Sequence, residues 1–289
     1  MPETAAVSSE ISIRKATPAD AEACGRVVDE AFGALDDDHG IPRDFPSLEH
    51  SVGLVRWLLE HPSMFGVIAE RGSEALGCNF LDERDAVRGV GPVAVSPDAQ
   101  GLCLGRRLME AVLERCRDAP GVRLQQDAFN AASIGLYTSL GFEVKEPTLY
   151  LRGRSLAAHP RAVEVRPLGE NDLDECAHLC RAVHGIERTN ELRDALGGAL
   201  AAHRSGRLTG YAIVSYGGHG IAESEEDLWA ILVAAGEAGG DIGFLLPTRQ
   251  AGLLRRCLEA GMRGVKQMTL MARGEYQEPR GSWFPSVWY

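Results

Sequence analysis

The 289-residue chain is 45% hydrophobic and 25% charged, the make-up of a folded globular protein with one or two cores. A net charge of −11 argues against a nucleic-acid partner, which calls for a basic face, and is compatible with a cationic substrate. The seven cysteines are scattered, odd in number and form no Cys-x-x-Cys pair, so neither a metal site nor a disulfide framework is expected.

Residues 1–10 are expected to form a disordered tail; with no basic region and no apolar run, they do not read as a signal peptide. No run of about 18 apolar residues occurs anywhere, so no membrane partner is expected, and the cytoplasm is the expected location. Ile11–Arg14 reads as a short strand. Thr17 then caps a helix that begins with Pro18 and Asp20 and is expected to stop near Gly33. Residues 34–47 read as a polar loop, and Leu48, Val52, Val55, Leu58 and Leu59 recur at helical spacing. Met64–Glu70 and Leu76–Asp82 read as a hairpin around Arg71-Gly72-Ser73.

The stretch Val87–Arg107 organises the rest. Val90, Val93 and Val95 are β-branched strand residues, and Gly89, Gly91 and Pro92 interrupt the ladder as a bulge would. Ser96-Pro97-Asp98 ends the strand. A tight turn, Gln100-Gly101-Leu102-Cys103-Leu104-Gly105, leads into an amphipathic helix marked by Leu104, Leu108, Val112 and Leu113, running to about Ala119. Such a strand, turn and helix gathers free backbone N–H groups at a positive helix end, a site for phosphate. Neither Gly-Lys-Ser/Thr nor Gly-x-Gly-x-x-Gly is present, so the two commoner nucleotide loops are excluded. After a further strand, Val122–Ala128, Asn130 is a natural N-cap for a helix over 131–140, and Gly141 a natural stop. Tyr137 lies two turns beyond Asn130 and shares its face.

A linker over 154–162 precedes a weak internal repeat of about 150 residues. VEVRPLGENDLDEC lines up with ISIRKATPADAEAC, so that Arg166 falls on Arg14 and Asp172 on Asp20. Further on, Gly206-Arg207-Leu208 marks a second hairpin, and Gly261 stands for Gly141. The repeat lacks the phosphate turn: GIAESEEDLWAIL has no glycine nest, and its four acids would repel phosphate. Gln250 stands where Asn130 stands, and Cys257 where Tyr137 stands.

Two motifs carry a resemblance. Val95-Ser96-Pro97 followed by Gln100 and Gly105 is similar to the pyrophosphate loop of the GNAT superfamily of N-acetyltransferases, with Cys103 in place of the usual middle glycine. Asn130, Ser133, Leu136, Tyr137, Gly141 and Phe142 match its second motif. The whole chain resembles bacterial tandem-GNAT proteins. The resemblance implies an α/β (α+β) fold of two GNAT-like domains, each a mixed, mostly antiparallel twisted sheet flanked by helices. The first, catalytic domain would span 11–153, and a degenerate one 163–289. It implies acetyl-CoA as cofactor, with the pantetheine arm along Val93, Ala94 and Val95. The pyrophosphate would meet the N–H groups of Gly101, Leu102, Cys103, Leu104, Gly105 and Arg106, beside Gln100, and Asn130 would also contact the cofactor. Tyr137 would be the general acid for the coenzyme A thiolate.

For the base, Asp127 is the first candidate, with His39 and Asp82 behind it; the strand over 87–95 holds no acid. The expected reaction is acetyl transfer to a primary amine, a small cationic metabolite, selected by Asp36, Asp37 and Asp38 in a loop at the acceptor entrance. A non-catalytic acyl-CoA-binding or regulatory module, and a protein-lysine or N-terminal acetyltransferase, stand as alternatives. Monomer and homodimer both fit. The terminal aromatics Trp283, Phe284, Trp288 and Tyr289 are expected to pack, either near the first domain's acceptor side or as a last strand of the second.

Overall fold

A computed structural model of the chain describes residues 10–154, 160 and 162–288. The expected tail, apart from Glu10, lies outside the described residues, as do most of the 154–162 linker and Tyr289. Packing divides the described residues into two compact units: 10–83 with Gly89–Ala119, and Arg84–Arg88 with 120–288.

The first unit is an antiparallel meander, β1 (Ile11–Lys15), β2 (Met64–Arg71), β3 (Glu74–Asp82) and β4 (Arg88–Val95), with helices α1 (Ala21–His39), α2 (Leu48–Glu60) and α3 (Leu104–Arg115). A single turn of 3-10 helix, Pro18–Asp20, leads into α1 through a capping box: the Thr17 N–H donates to the Asp20 carboxylate at 2.7 Å. Arg14 closes on the same carboxylate with two bonds of 2.9 and 2.8 Å. Val28, Val55, Ile68, Phe80, Leu108 and Val112 fill the core.

Helix α1 runs past the expected stop at Gly33. That glycine is a packing position: a Cβ there would lie 3.0 Å from the Arg43 guanidinium. The helix ends six residues after residue 33, where Gly40 takes the left-handed conformation, φ 63°. Asp36, Asp37 and Asp38 therefore belong to the helix, not to a loop.

The second unit holds two antiparallel sheets. One is built from β5 (Gly121–Asp127), β6 (Glu143–Gly153), β11 (Ile242–Pro247) and β12 (Arg263–Gly274), in the order β5-β12-β6-β11. Strand β12 of the second half thus lies between β5 and β6 of the first, and β6 lies between β12 and β11. The two halves exchange strands, so this sheet spans the linker and the compact units divide after Ala119 instead. The other sheet comprises β7 (Glu164–Pro167), β8 (Ala199–Arg204), β9 (Arg207–Ile213), β10 (Gly220–Ala222) and β13 (Ser282–Phe284). Helices α4 (Ala131–Ser139), α5 (Leu173–His184), α6 (Thr189–Asp194), α7 (Glu225–Glu237) and α8 (Ala251–Glu259) complete the unit.

The repeat read in the sequence recurs in the contacts. Arg166 binds Asp172 with bonds of 2.8 and 2.7 Å, and Asp172 accepts the Gly169 N–H at 2.8 Å, as Asp20 does with Arg14 and Thr17. Where the first half has the glycine turn before α3, the second has α7, buried from Leu228 to Val233. A helix apolar on all sides belongs in a core. Of the terminal aromatics, Trp283 and Phe284 lie in the last strand, β13, paired with β10, and Trp288 is buried beyond it. Phe284 meets Phe244 at 4.9 Å, and Trp283 stands edge-on to His184 at 4.6 Å.

Candidate functional site

In the first unit, the β3–β4 register slips between Asn79↔Val93 and Leu81↔Val90. Gly91 and Pro92 form the expected irregularity. Ala94 is buried, while Val93 and Val95 are half-exposed. Beyond the strand the chain turns through a 3-10 turn, Pro97–Ala99, and then through exposed Gln100, Gly101, Leu102 and Cys103. Gly101 has φ 82° and Cys103 φ 57°, left-handed turns of the kind found in anion-binding nests. Cys103 occupies the left-handed region that favours glycine, at a cost of about 1 kcal/mol or more.

Leu104 and Leu108 anchor α3 in the core, and the Asn79 side-chain amide donates to the Leu108 carbonyl at 3.3 Å. The first turn of α3 carries no acid and no side-chain cap, so its N–H groups and dipole are left for an anion. Helix α7, at the corresponding place in the second half, is the opposite. Ser224 caps it, Glu225, Glu226 and Asp227 fill its first turn, and Asp227 is held by Arg204 at 2.6 Å.

Cys103 is exposed and the other six cysteines are buried. An alkylating reagent is therefore expected to label Cys103 selectively, and acetyl-CoA to slow the labelling. Equal rates with and without the cofactor would place Cys103 outside its binding loop.

In the second unit, Asn130 caps α4, its Oδ1 accepting the Ser133 N–H at 3.1 Å. Tyr137 is buried on that helix with its ring edge-on to Phe142, 6.1 Å away. Burial pushes its hydroxyl up to about 12; Ser133 pulls the other way, and the Asp127 charge adds to the rise. Asp127, at the end of β5, is buried beside Lys266 of β12, Nζ to Oδ1 2.7 Å. Lys266 went unread in the sequence because it lies in the other half and reaches Asp127 only through the strand exchange. Its signal was a lone lysine in the apolar stretch VKQMTLMA. A proton taken up by Asp127 would break this buried ion pair. The pairing argues against Asp127 as the base.

The three aspartates expected to select a cation are used differently. Asp36 is fully buried and its carboxylate accepts the Asp44 N–H at 2.9 Å. Asp37 is paired with Arg43. Asp38 is at the surface. The physical reason is the extension of α1, which turns Asp36 inward and sets Asp37 beside Arg43. His39 is exposed and bonds the Leu35 carbonyl through Nδ1 at 2.8 Å; Asp82 is buried in β3. Among the described residues no group of three or more His, Cys, Asp or Glu could hold a metal, and no helix is long and apolar enough to cross a membrane.

Residues 30–142 match the Acetyltransferase (GNAT) family. No curated protein sequence matches the chain. Among solved structures, a protein from Pyrococcus horikoshii assigned as an acetyltransferase is similar at 18% identity and a TM-score of 0.77, over 99% of this chain and 97% of that one. A GCN5-related N-acetyltransferase from Sphaerobacter thermophilus is similar at 17% identity and a TM-score of 0.62, over 93% and 96%. A tandem GNAT protein from the clavulanic acid biosynthesis pathway shares 12% identity and a TM-score of 0.56, over 93% and 99%. At these identities the likeness is one of fold, and it extends over nearly the whole chain. The family match covers residues 30–142, under half of the chain.

Proposed function

We propose that the protein is an acetyl-CoA-dependent N-acetyltransferase acting on a primary amine. The observation that carries this reading is the first turn of α3, which has a glycine-type nest, no acid and no cap. The family match over residues 30–142 points to the cofactor; the turn would supply a place for its pyrophosphate. Val93, Ala94 and Val95 would receive the pantetheine amides along β4, and Gln100 to Arg106 the phosphates. The Asn130 Oδ1 is committed to its cap, so any contact with the cofactor falls to its NH₂ group.

Acyl transfer needs a neutral amine, a polarised thioester carbonyl and a proton for the departing thiolate. Tyr137 is the proton donor in this reading. Its hydroxyl near 12 lies above a thiol near 8.5, so full transfer in the resting protein is uphill by roughly 5 kcal/mol. The proton therefore moves as the thiolate leaves, when negative charge is greatest. The acceptor is a primary amine without selection by three free aspartates, since two of the three are already bound within the protein.

The test is release of free coenzyme A thiol across a panel of amines, with binding measured separately by calorimetry. Gly101→Glu puts a charged side chain at φ 82° in the nest and is expected to abolish acetyl-CoA binding. A folded Gly101→Glu protein with unchanged affinity would sink the loop assignment. Intact binding with no thiol release from any amine would make the protein a non-catalytic acyl-CoA-binding module.

A further inference from the structure

We infer that His219 is an acid-sensitive latch of the second unit: while neutral it closes a buried line of contacts that fastens α6 and the end of the polypeptide to the sheet, and a proton on it loosens both.

The line runs through Tyr211, His219, Glu191, Arg188 and Ser286. The His219 Nε2 and the Tyr211 hydroxyl lie 3.2 Å apart, the two rings edge-on with centroids at 5.5 Å. The His219 Nδ1 lies 3.2 Å from a Glu191 carboxylate oxygen, and the Arg188 guanidinium meets that same oxygen. Arg188 in turn donates to the Ser286 Oγ at 3.1 Å. These side chains join β9, the approach to β10, α6 with its N-cap, and the segment beyond β13. All five are buried, and His219 is 2% exposed.

The charges around His219 are already matched. Arg188 answers Glu191, and Arg84 pairs with Asp194. Asp85 accepts the Asn190 and Glu191 N–H groups at 3.1 and 3.2 Å. On α5 the nearby titratable groups are Cys180 and His184, both held neutral by burial. A proton on His219 would therefore put an unmatched positive charge into the core. Neither Nδ1 nor the Glu191 oxygens have an aligned hydrogen bond to receive it. Burial accordingly holds the imidazole below its ordinary value, against the pull of Glu191.

The first half has no such line. Gly77 and Gly210 stand at the same register slip, opposite Ala69 and Ala202. Counting from them along the paired strands, Cys78 falls on Tyr211 and Pro92 on His219. The latch therefore belongs to the second half alone, at the place where the first half has the irregularity in β4.

The stability tied to the neutral imidazole is fully present above the ordinary histidine value, about 6.5, and is lost as pH falls below it. The test follows hydrogen exchange over 189–194, 219–222 and 282–288, normalised to the intrinsic rate at each pH. It compares the parent with His219→Gln, whose side-chain amide still hydrogen-bonds and takes up no proton. Between about pH 7.5 and about pH 5.5 exchange in the parent should rise about tenfold more than in His219→Gln, since the lower pH is one unit below the ordinary histidine value. His184 is common to both proteins, so the difference isolates His219.

A folded His219→Gln protein with the parental pH dependence overturns the latch. If His219→Gln does not fold, the parent decides alone. Segments 189–194 and 282–288 that open in parallel as pH falls support one line of contacts, and segments with unlike pH dependence overturn it.

Discussion

Replacing Tyr137 with phenylalanine is expected to lower kcat by about 10²–10⁴-fold while leaving acetyl-CoA affinity nearly unchanged. The substitution keeps the ring that packs against Phe142 and removes only the oxygen. Stability at neutral pH should move by about 1 kcal/mol or less, the worth of a typical hydrogen bond. The tyrosine also has a pH signature. Its folded-state value, near 12, is raised above the ordinary 10, chiefly by burial. The stability tied to the neutral hydroxyl is therefore fully present below pH 10 and is lost as pH rises from 10 through about 12. The parent should lose up to roughly 3 kcal/mol across that window through this one group, and Tyr137→Phe should be spared it. Stopped-flow thiol release gives kcat, and urea unfolding at pH 9 and pH 11.5 gives the stability difference. A variant that turns over at the parental rate would return Tyr137 to a purely packing role.

The second large effect is structural. Trp283→Ala is expected to destabilise the protein by about 3–5 kcal/mol, the usual loss for a buried large aromatic truncated to alanine. Trp283 is 1% exposed in a cluster with Leu179, Tyr211, Ile221 and Leu270. Its backbone is also held: the Gln250 side chain accepts the Trp283 N–H at 3.0 Å and donates to its carbonyl at 2.5 Å. Gln250 stands at the repeat position of Asn130, so the second half has turned that residue to gripping the chain's own last strand. Ser286, fully buried, accepts from Arg188 at 3.1 Å just beyond. For a cooperative unit of this size the melting temperature should fall by roughly 6–20 °C. Differential scanning calorimetry measures it. A shift under about 2 °C would mean that the final strand is not part of the core.

Local signals carried most of the first half. The β-branched run over 90–95, the turn at Gln100–Gly105 and the apolar period from Leu104 to Leu113 are each satisfied by neighbours in sequence. The strand, nest and helix therefore stand where the residues predict them. Asn130 capping α4, with Tyr137 buried on it, was legible for the same reason. The Arg14–Asp20 and Arg166–Asp172 pairs were visible only as aligned letters, and the structure shows them to be the same device used twice.

Tertiary structure decided the rest. Gly33 reads as a helix stop, since glycine loses more backbone freedom than other residues, but close packing against Arg43 keeps the helix running to His39. That extension buried Asp36 and paired Asp37, and so removed a cation trap that a count of acids had suggested. Charge counts are blind to partners. Above all, the sequence by itself pointed to two related halves, only one of them with a glycine turn ahead of its helix. It could not say that β12 lies beside β5. Ladder hydrogen bonds join any two backbones, so which strand takes which edge is settled by burial across the whole sheet. That choice brings Lys266 to Asp127, so this buried ion pair is a property of the fold and not of any one stretch of chain.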